Sequence, residues 1–158
     1  GKINRRIKMN IRIANKDDIK KGIEEIIEAV KEFPNFHIRG LIVTDQYYES
    51  LINICMEKGK IVIAEENDKI IGCIMGLVNA NIFTAMNELV TIVTWVHKDK
   101  RNSSAFYRMF KMYKEIFTKL RQENKIDRVL MAQLPDNKTN IKFDKLNFKL
   151  IEQTYEWR

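Results

Sequence analysis

The sequence predicts a single mixed α/β domain of the α+β kind, with a mostly antiparallel central sheet of six to seven strands and about four flanking helices. Its 158 residues can bury one core without disulfides or metal. Three strand-like runs follow one another between residues 61 and 96, which favours antiparallel pairing. A strand, long helix and strand then follow between residues 88 and 133, which favours one parallel pair. The domain is predicted to span residues 9–158, with residues 1–8 as an N-terminal extension.

The N-terminal third is predicted to hold a strand at 11–14 and two helices. Asn15 or Asp17 can cap the first helix, and a Phe-Pro-Asn sequence stops it. The second helix keeps its apolar residues in helical register and ends at Gly59, where a left-handed cap is expected.

The rest of the chain begins with a predicted hairpin, whose strands at 61–66 and 69–78 are joined by Asn67 and Asp68. A strand at 88–96 follows. The remaining predicted elements are a long helix opening near residue 105, a strand at 128–133, a short helix at 136–145 and a final strand at 148–157.

The net charge of +7 favours anionic partners in general. Residues 1–8 carry four of the positive charges, so a nucleic-acid partner is not expected for the folded domain. Cys55 and Cys73 lie in apolar patterns and are expected to be buried free thiols, which fits a reducing compartment. With no leader pattern and no apolar run long enough for a bilayer, a cytoplasmic protein without a membrane partner is expected.

The turn at 97–105 is basic and contains serines, and it connects an apolar strand to a long amphipathic helix. The first amides of a helix are unpaired and carry positive partial charge, so anions bind there. Lys98, Lys100 and Arg101 add to this attraction. The sequence therefore predicts an anion site near residues 101–106.

The order of elements and this turn together resemble the GNAT superfamily of N-acetyltransferases, over nearly the whole chain from Ile11 onward. The family motif is Gln/Arg-x-x-Gly-x-Gly/Ala at the start of the central helix. Here Arg101 matches, while Ser104 and Phe106 occupy the glycine positions. In a register one residue earlier, the matching positions are Lys100, Ser103 and Ala105. The variant with Arg, Ser and Ala resembles acetyltransferases found in phage genomes.

A second match lies at 143–148, which resembles the family's Tyr-x-Lys-Leu-Gly-Phe. Asn147 replaces the glycine and suits a left-handed turn. Phe143 replaces a tyrosine that in the family commonly protonates the departing CoA thiolate. Water, Tyr107 or Tyr155 would then serve instead.

The resemblance implies acetyl-CoA as co-substrate and Glu88 as the catalytic base, because some family members place a glutamate at this strand start. The alternative reading of Glu88 is a solvated strand-end carboxylate. Trp95 and Val96 would offer backbone groups to the pantetheine arm, and Asn137 would meet CoA or simply cap a helix. The complete set of expected cofactor contacts is Trp95, Val96, Arg101, Asn102, Ser103, Ser104, Ala105, Phe106 and Asn137.

The function implied is acetyl transfer to a primary amine of a small molecule or protein, directly within a ternary complex. The alternative is a weak or inactive acyl-CoA-binding or partner-binding module, because both glycines and the tyrosine are absent. A homodimer is a further expectation. His37 and His97 are expected to be a loop histidine and a surface or phosphate-contacting histidine, and the spacing of histidines and cysteines predicts no metal site.

Overall fold

A computed structural model describes residues 8–31, 45–133, 141–155 and 157 of the chain. They contain five strands and three α-helices, together with two short 3-10 turns at Lys98–Lys100 and Phe143–Leu146. The elements are β1 (Asn10–Ile13), α1 (Asp18–Lys31), α2 (Asp45–Lys58), β2 (Gly59–Glu66), β3 (Lys69–Ala80), β4 (Asn87–Val96), α3 (Ala105–Gln122) and β5 (Arg128–Met131).

The five strands form one sheet in the order β1-β2-β3-β4-β5. The first three pairings are antiparallel, and β4 pairs with β5 in parallel. This confirms the mixed, mostly antiparallel sheet. The described residues hold five strands and three α-helices, fewer than the six to seven strands and four helices expected.

The predicted final strand at 148–157 is wrong for the part of this segment that the structure describes. Its large apolar side chains are exposed, with Leu150 at 74% and Trp157 at 94%. A strand needs a hydrogen-bonded neighbour, and no described strand pairs with this segment. The predicted helix at 136–145 lies mostly outside the described residues.

The core has two layers, one on each face of the sheet. On one face, α1 and α2 cover the first cluster, whose buried members include Tyr48, Ile52, Cys55, Ile63, Met75 and Trp95. On the other face, α3 covers the second cluster, which includes Val62, Ile74, Leu89, Met109, Phe110 and Tyr113. Alternate residues of each strand serve opposite layers, which is why the central strands are apolar on both faces. None of the described helices combines the length and apolar character that a membrane crossing demands.

Of two turns predicted from the sequence, the structure confirms the hairpin turn and contradicts the helix cap. Asn67 and Asp68 have φ values of 52° and 60°, which confirms the hairpin turn. Gly59 is not a left-handed helix cap, because it begins β2 directly after α2. A Cβ at Gly59 would collide with the carbonyl of Gly76 on β3, so the glycine is required for close approach of two strands.

Candidate active site

The parallel strands β4 and β5 pair over only four residues. The pairing runs from Glu88 opposite Arg128 to Thr91 opposite Met131, whereas β4 continues to Val96. Beyond Thr91, the edge of β4 that faces away from β3 has no strand partner among the described residues. This edge leaves room for an extended, amide-containing ligand to add alongside β4.

A β-bulge interrupts β4 where the two strands separate. Met75 of β3 pairs with Val93 and the adjacent Gly76 pairs with Thr91, so Ile92 is the extra residue. A bulge bends the strand and redirects its side chains and amides. The sequence around Ile92 contains no glycine or other breaker, so nothing in it signals the bulge.

Trp95 and Val96, both predicted to contact the cofactor, lie on the part of β4 that pairs with β3 alone among the described strands. Their side chains are buried. The Val96 carbonyl already accepts a hydrogen bond from Arg101 Nε at 3.1 Å. Trp95 Nε1 is buried and has no hydrogen-bond partner in the described part of the chain.

A tight turn connects β4 to α3. The His97 amide donates to the Ile71 carbonyl at 2.7 Å, which ties the turn to β3, and the Asp99 amide donates to His97 Nδ1 at 3.2 Å. The Ser103 amide donates to the Lys100 carbonyl at 3.0 Å. These bonds fix where α3 begins.

Some of the first backbone amides of α3 donate hydrogen bonds to described groups, and others do not. Ser104 is the N-cap, but its side chain makes no capping bond. Instead, the Ala105 amide donates to the Ser103 hydroxyl at 3.2 Å. The amides of Phe106 and Tyr107 donate to no described group. Two main-chain donors therefore remain at the predicted anion site.

The charge around this helix start is smaller than the sequence indicates. Lys100 Nζ forms an ion pair with Glu66 at 2.7 Å, so its charge is compensated. Lys98 is exposed. The helix itself is 18 residues long, which gives its N-terminus the full partial charge of a helix end.

The Phe106 ring does not occupy the helix start. It stacks on Phe110 one turn along α3, with ring centroids 5.9 Å apart, and packs against the second core cluster. The orientation towards the sheet, which a phenylalanine at a glycine position requires, is therefore present.

Glu88 is buried at the start of β4, with 4% of the residue exposed, so it is not a solvated strand-end carboxylate. One carboxylate oxygen forms an ion pair with Arg128 Nε, and the other accepts a hydrogen bond from Asn81 Nδ2 at 3.1 Å. The side chain is thus held between β5 and the loop that connects β3 to β4. A charged carboxylate in this position can attract a cationic amine or accept a proton.

The other residues considered for the site are those of the C-terminal motif and the two tyrosines that could replace its missing hydroxyl. Asn147 has φ 64°, as expected for a left-handed turn. The Phe143 ring packs on Phe148, with centroids 5.8 Å apart. Tyr155 is 83% exposed and Tyr107 is 58% exposed. Asn137, expected to contact CoA or cap a helix, and His37, expected to be a loop histidine, lie outside the described residues.

A small apolar cavity of about 70 Å³ lies between the α1–α2 layer and the sheet. Trp95 and Cys73 form part of its wall. Burial raises the pKa of the Cys73 thiol to about 12, so this cysteine is a neutral apolar group at physiological pH. The sequence could not reveal this space, because it depends on how α1 and α2 pack.

Solved structures of acetyltransferases are similar over nearly the whole chain. A possible acetyltransferase from Clostridium difficile 630 has a TM-score of 0.66 and 19% identity, covering 97% of this chain and 98% of that one. The aminoglycoside acetyltransferase meta-AAC0020 from an uncultured soil metagenomic sample, in complex with sisomicin, has a TM-score of 0.65 and 15% identity, covering 95% and 97%.

A third structure, of AAC(6')-Iy with the bisubstrate analogue CoA-S-monomethyl-acetylneamine, has a TM-score of 0.67 and 13% identity, covering 96% and 97%. No protein-family model matches the sequence, and no curated protein sequence matches it. The chain therefore has the fold of the GNAT acetyltransferases.

Proposed function

We propose that this protein is an N-acetyltransferase that uses acetyl-CoA as co-substrate and transfers the acetyl group to a primary amine directly, within a ternary complex. The observation that carries the proposal is the separation of β4 from β5 beside the start of α3. Among the described residues, an edge of β4 without a strand partner lies next to helix amides without an acceptor, in a fold shared with acetyltransferases.

The residues at this junction fit the chemical parts of acetyl-CoA. The Phe106 and Tyr107 amides would hold the diphosphate, assisted by the partial charge of the helix. The free edge of β4 near Trp95 would pair with the amides of the pantetheine arm. Ser103 and Ser104 would replace the missing glycines by lying beside the phosphates with small, polar side chains. A likeness to a structure with a CoA-based analogue supports this assignment.

For the chemical step, we propose that Glu88 accepts the proton that the attacking amine must lose. The ion pair with Arg128 orients the carboxylate. The extra residue of the bulge, Ile92, would supply a main-chain donor to the polarised thioester carbonyl. Phe143 has no hydroxyl, so water would protonate the CoA thiolate, whose pKa in solution is near that of a free cysteine.

The acceptor is proposed to be a primary amine, since two of the similar structures are aminoglycoside acetyltransferases by name or by ligand. We also propose a cytoplasmic location, supported by the two buried free thiols Cys55 and Cys73.

Two observations favour a second candidate, a catalytically weak or inactive acyl-CoA-binding or partner-binding module. Both oxygens of Glu88 already have partners, and Phe143 cannot donate a proton. The same junction would then bind acyl-CoA without turning it over.

A thiol-release assay separates the two candidates. The full chain is incubated with acetyl-CoA and a panel of primary amines, and free CoA is measured with a thiol reagent. Amine-dependent release, with acetylated amine detected by mass spectrometry, is the expected result. Binding of acetyl-CoA without release for any amine would assign the chain to the second candidate instead.

A further inference from the structure

Two large apolar side chains stand in solvent at the end of the molecule where β4 begins. Ile82 is 89% exposed and Phe83 is 90% exposed, in the loop that connects β3 to β4. We call this pair the apolar tip. Single exposed apolar residues are ordinary, but two adjacent ones at the point of a loop form a patch of the kind that binds partners.

The loop that carries the apolar tip is rigidly hydrogen-bonded. The side-chain oxygen of Asn81 accepts from the amides of Phe83 and Thr84 at 2.9 and 3.1 Å. The Asn81 amide donates to the Met86 carbonyl, and the Asn81 carbonyl accepts from the Ala85 amide, each at 2.8 Å. Ala85 is held at φ 59°, a conformation that costs a non-glycine residue free energy. A rigid loop loses little entropy on binding, which favours a docking role.

The same asparagine connects the apolar tip to the candidate site. Its side-chain amide donates to the Glu88 carboxylate at 3.1 Å. The loop also leads directly into Asn87, whose amide donates to Asp127 Oδ2 at 2.7 Å at the start of β5. The tip therefore lies at the rim of the site where the amine is proposed to lose its proton.

The size of the apolar tip argues against a second copy of this chain as its occupant. Two such side chains bury on the order of 400 Å², so two tips packed together would bury about 800 Å², below the roughly 1,200 Å² of a stable interface. A contact of this size suits a partner that binds and leaves, as a substrate does.

The absence of charged side chains in the loop indicates which class of substrate the apolar tip fits. Residues 80–86 contain no charged side chain, in a chain whose net charge is +7. The loop offers no carboxylate to a polycationic small amine, and such an amine would gain nothing from Ile82 and Phe83. A polypeptide with apolar side chains beside its amine would cover both.

We propose that the apolar tip selects a polypeptide acceptor that presents apolar side chains next to the amine that becomes acetylated. This inference rests on the proposed acetyltransferase function. In it, Ile82 and Phe83 determine which acceptor binds, and they take no part in the chemical step.

The test compares two synthetic peptides that each contain a free N-terminal amine and one lysine, so that either amine can react. One flanks both amines with leucine and phenylalanine, and the other with serine and threonine. Sisomicin is the third acceptor, and kcat/KM is measured by CoA release. The wild type is expected to prefer the apolar peptide by about tenfold over the polar one.

In the Ile82→Ser/Phe83→Ser double variant, the ratio of kcat/KM for the apolar peptide to kcat/KM for the polar peptide should fall to about one. The acetyl-CoA dissociation constant should stay unchanged. Leu150→Ser removes an exposed apolar side chain elsewhere and should keep the preference. The inference is overturned by preference for sisomicin or the polar peptide, by turnover of neither peptide, or by a preference that survives in the double variant.

Two further measurements separate the possible failures. If the chain binds no acetyl-CoA in calorimetry, the proposed function fails together with this inference. If it binds acetyl-CoA but shows no apolar preference, this inference alone fails. A wild-type dimer in sedimentation velocity that becomes a monomer in the double variant would assign the apolar tip to a second copy and overturn the inference as well.

Discussion

Glu88 is the residue on which the proposed chemistry depends. Glu88→Gln keeps the shape of the side chain and its contact with Asn81, but it removes the negative charge. We expect kcat to fall about 100-fold, because a general base contributes roughly that much, while the acetyl-CoA dissociation constant stays constant. Steady-state kinetics at saturating acetyl-CoA and amine measure kcat, and calorimetry measures the dissociation constant. An unchanged kcat would assign Glu88 to holding Arg128 and the loop in place, without a part in proton transfer.

Arg12 is the residue on which we base a prediction about the stability of the fold. It donates two hydrogen bonds to Asp18 at 2.7 and 2.8 Å and two to Glu65 at 3.0 and 3.1 Å, which joins β1 to α1 and β2. These bonds hold the pKa of each carboxyl below its ordinary value. A carboxyl with a lowered pKa stabilises the fold above its unfolded-state pKa and loses that contribution as the pH falls.

The free energy of unfolding is therefore expected to decrease as the pH is lowered below about 4.5, the ordinary value for Glu65. Arg12→Ala should cost about 2 kcal/mol at pH 7, between the values for surface and buried pairs, and should flatten this pH dependence. Urea unfolding from pH 7 to pH 3 measures both effects. Lys111→Ala, which removes an exposed cation, is the control, and equal pH dependence in Arg12→Ala and this control would contradict the role of Arg12.

At the scale of elements, the start of α3 is the part that we assign to phosphate binding. Ser104→Asp replaces the N-cap with an equally good capping residue and adds a negative charge that suits the helix dipole. The thermal midpoint should stay the same or rise, while the affinity for acetyl-CoA should fall at least about tenfold through repulsion of the phosphates.

Thr118→Asp places the same charge on the exposed side of α3, far from its N-terminus, and should leave the affinity unchanged. Calorimetry with each variant gives the two dissociation constants. Equal affinities in both variants would exclude the helix start as the phosphate site.

The contact between α3 and the sheet depends on a glycine in β3. A Cβ at Gly76 would collide with the Tyr113 hydroxyl, which pairs with Thr91 at 2.9 Å in the core. Gly76→Ala is therefore expected to lower the free energy of unfolding by about 2 kcal/mol, as overpacking does.

Gly22→Ala is the matched control in α1, where the added Cβ would meet Ile52 at 3.7 Å, an ordinary contact. Alanine is the better helix former, so this change should stabilise the protein by about 0.5–1 kcal/mol. Denaturant unfolding of the two variants tests the pair, and equal effects would contradict the packing described for β3 and α3.

At the scale of the whole molecule, the parts that the sequence predicts correctly are those set by local pattern. Asn67 and Asp68 specify the hairpin because few residues accept positive φ. Met109, Phe110 and Tyr113 keep helical spacing and form the buried stripe of α3, as the pattern predicts. The anion site at the start of α3 rests on the same local reasoning and stays a prediction.

The features that the sequence does not reveal depend on distant pairings. The pairing of Lys100 with Glu66 reduces the charge at the helix start, and these residues are far apart in the chain. The bulge at Ile92 and the separation of β4 from β5 arise from strand register, which no short pattern encodes. The segment at 148–157 contains several residue types that favour strands, but it lacks a described strand partner.

Titration of acetyl-CoA into the full chain by isothermal calorimetry tests the central assignment most directly. The proposed phosphate site at α3 and the edge of β4 that has no described strand partner predict one binding site, with a dissociation constant of about 1–100 µM, in the usual range for enzyme substrates. The Ser104→Asp variant should bind at least about tenfold more weakly. Absence of any binding heat at millimolar acetyl-CoA, with the wild type folded, would contradict the account.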